Sequence, residues 1–143
     1  MQRGEAPASV ILVRVMVGAV FISEGLQKFL FPETLGVGRF SQIGIPHPAA
    51  MAPLVGATEI TCGLLVTLGL FTRLAAIPLL VVMRVAISTT KIPTLLKSGF
   101  WSMAHEARTD YATLLGACFL LLVGAGPWSL DARLSTRGMK HGA

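Results

Sequence analysis

Three ionisable residues, Glu24, Glu59 and Arg84, stand inside long apolar runs, and Lys28 follows Glu24 by one helical turn. A lone charge in hydrocarbon costs about 3 kcal/mol or more, so each of these groups needs a partner or a polar cavity. Two carboxylates held in such a place could pass protons as general acid and base. Cations beside them could hold an anionic or carbonyl oxygen. Glu24 and Glu59 are therefore the candidate catalytic residues. Lys28, Arg39, Arg84, His105 and Asp110 are the candidate binding residues.

These residues come from different stretches, so the elements carrying them must bring them to one height. Over half of the 143 residues are hydrophobic (53%), only 13% are charged, and mean hydropathy is +0.70. That balance excludes an ordinary soluble domain and indicates an integral membrane protein. The net charge of +5 is spread over loops and tail rather than gathered with aromatics, so nucleic acid is not an expected partner. Lipid headgroups account for the basic residues. The first apolar run has no small-x-small cleavage site and is too long for a signal peptide core, so it is expected to stay in the mature chain.

A length of roughly 20 apolar residues per crossing places four spans, at about 10–31, 54–71, 74–92 and 109–123. The expected fold is all-α: a polytopic membrane four-helix bundle forming one domain over 1–131, followed by a basic, disordered tail at 132–143. Pro32 ends the first span, the Gly- and Pro-rich stretch 33–53 reads as a structured loop, and the tight Thr72-Arg73 turn makes spans two and three antiparallel neighbours. Between spans three and four, residues 93–108 mix Leu95, Leu96, Phe100 and Trp101 with Lys97, the composition of a segment lying in the headgroup plane.

Four crossings put both termini on one side. Arg3, Arg73, Arg133, Arg137 and Lys140 on that side balance Lys28, Arg39, Lys91, Lys97 and Arg108 on the other. Arg14, in the terminal half of span one, tips the count toward cytoplasmic termini. With that topology Glu24, Glu59 and Arg84 each lie roughly 10 to 12 Å below the non-terminal face. His105, Arg108 and Asp110 approach from the start of span four, and Arg39 from the first loop. Two readings stay open: ion pairs such as Glu24 with Arg84 or Glu59 with Lys28 that merely hold the bundle together, or a pocket that binds and exchanges protons with a headgroup, a quinone or a small anion.

Other chemistry has weaker signals. Cys62 and Cys118 are isolated but at comparable depth, readable as a dithiol or as two small buried hydrophobes. His105-Glu106 is half of a metal motif without its second histidine, and no metal site is expected. No haem or flavin fingerprint is present, so the chain shows no electron carrier of its own and its cofactor is unassigned.

Several short motifs fall in a telling order: Phe21-Ile22-Ser23-Glu24-Gly25-Leu26-Gln27-Lys28-Phe29, then Gly38-Arg39-Phe40, Gly44-Ile45-Pro46-His47-Pro48, Glu59 with Gly63, Gly69-Leu70-Phe71-Thr72-Arg73-Leu74-Ala75-Ala76, and Thr109-Asp110-Tyr111. This arrangement, from about Arg14 to Asp131, resembles the DoxX family of small four-helix membrane proteins. Residue by residue the resemblance picks out Glu24, Lys28, Arg39, Glu59, Arg73 and Asp110. It implies a bacterial cytoplasmic-membrane subunit of a redox assembly, linked to quinones or thiols, with protein partners and a homo-oligomer in view. Related four-helix proteins act instead as receptors or chaperones, so the alternative is a non-enzymatic membrane scaffold. Whether the chain catalyses anything itself is left open by the resemblance.

Overall fold

The computed structural model describes residues 6–140, and every regular element among them is helical. In chain order these are α1 (Val10–Leu30), α2 (Val37–Gln42), α3 (Pro48–Leu68), α4 (Thr72–Ala86), a π turn (Ile87–Lys91), α5 (Ile92–Ser98), α6 (Phe100–Glu106), α7 (Arg108–Val123) and α8 (Leu130–Lys140). Among the described residues three helical stretches are long and apolar enough to cross a membrane: Val10–Leu30, Pro48–Leu68 and Thr72–Ser98. The fourth expected span, α7, has 16 residues, about 24 Å of helix and short of a full hydrocarbon layer.

α1 packs chiefly on α3, and α4 on α7, while α3 meets α4 and α1 meets α7. Val17, Phe21, Val66, Leu79 and Leu120 fill the centre. Large apolar side chains such as Leu12, Leu54, Leu74 and Leu122 point outward. Outward leucines on helices of this length are what lipid, rather than water, tolerates.

The α1–α3 contact is built on glycines seven residues apart in each helix, Gly18 and Gly25 against Gly63 and Gly56. A Cβ on Gly25 would stand 2.6 Å from the Gly56 carbonyl oxygen, and one on Gly63 would stand 3.0 Å from that of Gly18. With no side chain between them the two backbones close together, the small-residue packing that membrane helices use.

Three expectations are corrected. The second helix begins at Pro48 rather than near residue 54, because Pro48 occupies its first turn, where a missing N–H costs nothing. The third does not end near residue 92. Pro93 cannot donate to the Thr89 carbonyl, and the hydroxyls of Thr89, Thr90 and Thr94 bond back to the carbonyls of Val85, Ala86 and Thr90, so the chain widens into the π turn and continues to Ser98. Disorder from residue 132 gives way to the helix Leu130–Lys140, begun where Ser129 Oγ accepts from the Ala132 N–H at 3.1 Å. Residues 141–143 of that tail, with His141, and Arg3 of the charge count lie outside the described residues.

Candidate functional site

The two ends of the helix assembly use their charges differently. At the terminal end, charged side chains bind backbone. Arg14 is 2% exposed; it donates through Nε to the Val66 carbonyl (3.1 Å), through Nη2 to Thr67 (2.7 Å), and through Nη1 to Ala125 (3.2 Å) and Trp128 (2.6 Å). The carbonyls of Val66 and Thr67 belong to the last turn of α3, beyond the regular helical ladder; Val66 also accepts from the Gly69 N–H at 3.1 Å, and a cation there suits the helix dipole. Arg73 does the same for α7, reaching the Leu122 and Val123 carbonyls at 3.1 and 3.3 Å. Asp131 accepts from the backbone N–H groups of Phe71 (2.8 Å) and Thr72 (3.2 Å) at the start of α4.

At the other end, side chains meet side chains around a cavity of about 330 Å³. Its polar lining is Glu24 and Lys28 from α1, Arg39 from α2, Glu59 from α3, Thr89 and Thr90 from the π turn, and Asp110 from α7. Its apolar lining includes Phe40, Met51, Val55, Val81, Val82 and Val85. The Lys28 ammonium lies 2.7 Å from Glu59 Oε2, with the two side chains 11% and 4% exposed. The approach is off the axis of a good hydrogen bond, so this buried oxygen is paired by charge yet has no well-directed donor. Lys28 also donates to the Glu24 carbonyl at 3.3 Å, which aims its head across to α3. Near the rim, Lys91 meets Asp110 at 3.2 Å.

Five of the seven residues singled out in the sequence thus border one cavity: Glu24, Lys28, Arg39, Glu59 and Asp110. Two do not. Arg84 is exposed and absent from the lining; at about 100° per residue it falls roughly 130° around α4 from the centre of the stripe of Val81, Val82, Val85 and Ala86 that faces the cavity. The expected Glu24–Arg84 pair is not among the ion pairs of the described residues, whereas Lys28–Glu59 is. His105 is exposed on α6, where its ring lies 3.1 Å from Arg108. Thr89, Thr90 and the anchoring roles of Arg14 and Asp131 were missed. The clue to Arg14 was an arginine in the first turns of an apolar span, a place where only a dedicated set of acceptors makes it tolerable.

Cys62 is buried on α3 and Cys118 half-buried on α7, both as free thiols. Among the described residues no three of His, Cys, Asp and Glu gather closely enough to hold a metal ion.

An all-helical membrane protein, with a polar-rimmed cavity toward one end of its helices, is the class defined so far. The chain belongs to the DoxX family, whose sequence pattern matches residues 9–92. It is 54% identical over 145 aligned residues to a Mycobacterium tuberculosis protein named "Uncharacterized membrane protein Rv3486", covering 97% of this chain and 89% of that one. It is 34% identical over 132 residues to the Bacillus subtilis protein named "Putative oxidoreductase CatD", covering 92% of this chain and 90% of that one. No solved structure matches the chain significantly.

Proposed function

We propose that the cavity binds a small molecule with an apolar body and an oxygen-bearing head, quinone-like or thiol-derived, and that the protein serves as the membrane subunit of a redox assembly whose partner supplies the electrons. The observation that carries this reading is the Lys28–Glu59 pair set in the wall of a cavity that Glu24, Arg39 and Asp110 also border. Lys28 and Arg39 would hold a carbonyl or anionic oxygen, while Glu59, whose Oε2 can still accept a directed hydrogen bond, and Glu24 would exchange protons with it. The valines opposite would pack against the apolar body. The name of the Bacillus subtilis relative adds a redox hint.

In this reading α7 is the fourth crossing, accommodated by local thinning of the bilayer, and both termini face the cytoplasm from the bacterial cytoplasmic membrane. Eighteen residues separate Arg73 from Lys91, roughly 27 Å of helix, close to the hydrocarbon thickness. The two charges thus mark its two edges, and the cavity lies just inside one of them.

A second reading, a scaffold or chaperone for another membrane protein, is favoured by Arg84. Its guanidinium is exposed on a spanning helix with no carboxylate of the described residues within 4 Å, and a transmembrane partner bearing an acid would relieve it.

Purification from native membranes, followed by a visible spectrum and a lipid extract, separates the two. Co-purified quinone at near-stoichiometric amount, lost in Glu24→Gln and Glu59→Gln variants that still accumulate, supports the cavity reading. Failure of both variants to accumulate would reduce the pair to a structural fastening. A colourless, quinone-free protein would point to the scaffold.

A further inference from the structure

We infer that α8 is an in-plane helix that binds the anionic headgroups of the bilayer surface at the terminal end. Beyond its first turn, residues 133–139 of this helix are all exposed, and no helix of the described residues packs extensively on it. It has 11 residues, and a free helix of that length is marginal in water, so it requires a surface to lie on.

The composition of its faces says which surface. At about 100° per residue Leu130 and Leu134 fall on one side, with Arg137 and then Arg133 along one edge of it. Thr136, Ser135 and Met139 lie on the far half. Trp128, 67% exposed, stands just ahead of it. Leucines edged on one side by arginines that can extend upward, led by an interfacial tryptophan, fit an acyl boundary with phosphates above it. A second protein helix would bury the leucines but would not need both guanidiniums on their border.

The start of α8 is fixed at the right height. Asp131 holds the N–H groups of Phe71 and Thr72, and its own N–H donates to the Gly69 carbonyl at 2.9 Å. These residues form the α3–α4 turn beside Arg73, at the edge of the spanning helices. The two arginines therefore reach the headgroup layer without crossing hydrocarbon. Anionic lipids attract such residues by about 1 kcal/mol for each Lys or Arg near the surface, roughly fivefold per charge.

The test uses the full chain, with Cys62→Ala and Cys118→Ala, at one protein per nanodisc and a nitroxide on Gly138→Cys or Thr136→Cys. A side chain at Gly138 meets nothing within 4 Å, and it lies on the leucine half while Thr136 lies on the other. In discs containing one part phosphatidylglycerol to two of phosphatidylcholine, the label at 138 should meet oxygen several-fold more often, relative to a water-soluble nickel chelate, than the label at 136. The contrast should shrink in phosphatidylcholine alone and in Arg133→Gln/Arg137→Gln. Equal water exposure of both labels, or a contrast indifferent to lipid charge, overturns the assignment. Dipolar broadening between labels in discs loaded with two copies, with no lipid dependence, would make the occupant a second chain instead.

Discussion

Lys28 and Glu59 tie α1 to α3 through a 2.7 Å ion pair, almost withdrawn from solvent, that also forms part of a cavity wall. The same contact could serve structure or chemistry, and the two roles respond differently to substitution. Lys28→Met alone leaves a buried carboxylate without its counter-charge and should cost about 3–5 kcal/mol. Lys28→Met with Glu59→Leu removes both charges and should recover most of that stability, since well-packed apolar replacements of buried pairs are often neutral. Denaturation in detergent measures the first effect. Ligand retention in the recovered double variant measures the second, and retention at the parent level would end the case for a binding role.

Close approach of α1 to α3 is what puts that pair within reach. In Gly25→Ala the new methyl meets the Gly56 carbonyl and the Ile60 backbone nitrogen, 2.6 and 3.1 Å away, and backbone atoms cannot rotate aside. The helices must part, at a cost of about 1–3 kcal/mol, and the Lys28–Glu59 contact should lengthen with them. Gly138→Ala, whose methyl meets nothing, should be neutral or stabilising by less than about 1 kcal/mol. Thermal midpoints of the two variants compared with the parent decide this, and equal midpoints would show that the glycine contact does not limit the spacing.

Arg14 supplies a third expectation. Four carbonyls from two separate chain segments converge on its guanidinium. Arg14→Lys keeps the charge but has three donors on one nitrogen, which cannot reach acceptors arrayed around a planar fork. It should lose about 2–4 kcal/mol, with Arg14→Met similar or worse because the guanidinium's donors to all four carbonyls are then gone. Asp131→Asn should cost only about 1 kcal/mol, as a substituted helix cap does. Unfolding free energies in one detergent order the three. A lysine variant as stable as the parent would show that charge alone, without the fork, holds the α3 end.

Much of this was legible in the chain because depth along a span is counted directly in residues. Glu24, Glu59 and Arg84 fall at one level by spacing alone, with Lys28 one turn above and Asp110 approaching from the start of span four, and the family motifs mark Glu24, Lys28, Glu59 and Asp110. Azimuth was less accessible. Arg84 shares the level but points away, because the rotation of α4 is set by Ala75, Ala76, Leu79 and Met83 turning into the core, and a uniformly apolar run does not announce which stripe that is. Long-range capping was also hidden: Arg14 and Trp128 are 114 residues apart, and neither carries a local sign of the other. The π turn was masked by Pro93, which reads as a stop, whereas the chain stays helical past it with the Thr89 and Thr90 hydroxyls bonded back to the carbonyls of Val85 and Ala86.

The outward turn of Arg84 separates the two functional readings in a single variant. Its side chain lines no part of the cavity, so Arg84→Leu should leave retention of a cavity ligand within about twofold, below the 1.4 kcal/mol that a tenfold change represents. Removing an exposed charge from a spanning helix should also raise stability in lipid, by up to about 3 kcal/mol. A membrane partner that pairs an acid with this guanidinium would be lost at the same time, and its own acid-to-amide variant should reproduce the loss. Cross-linking yield in native membranes, set beside ligand content of the same preparation, reads both effects. Loss of ligand with partners retained would place Arg84 in the cavity's chemistry after all, against the geometry of α4.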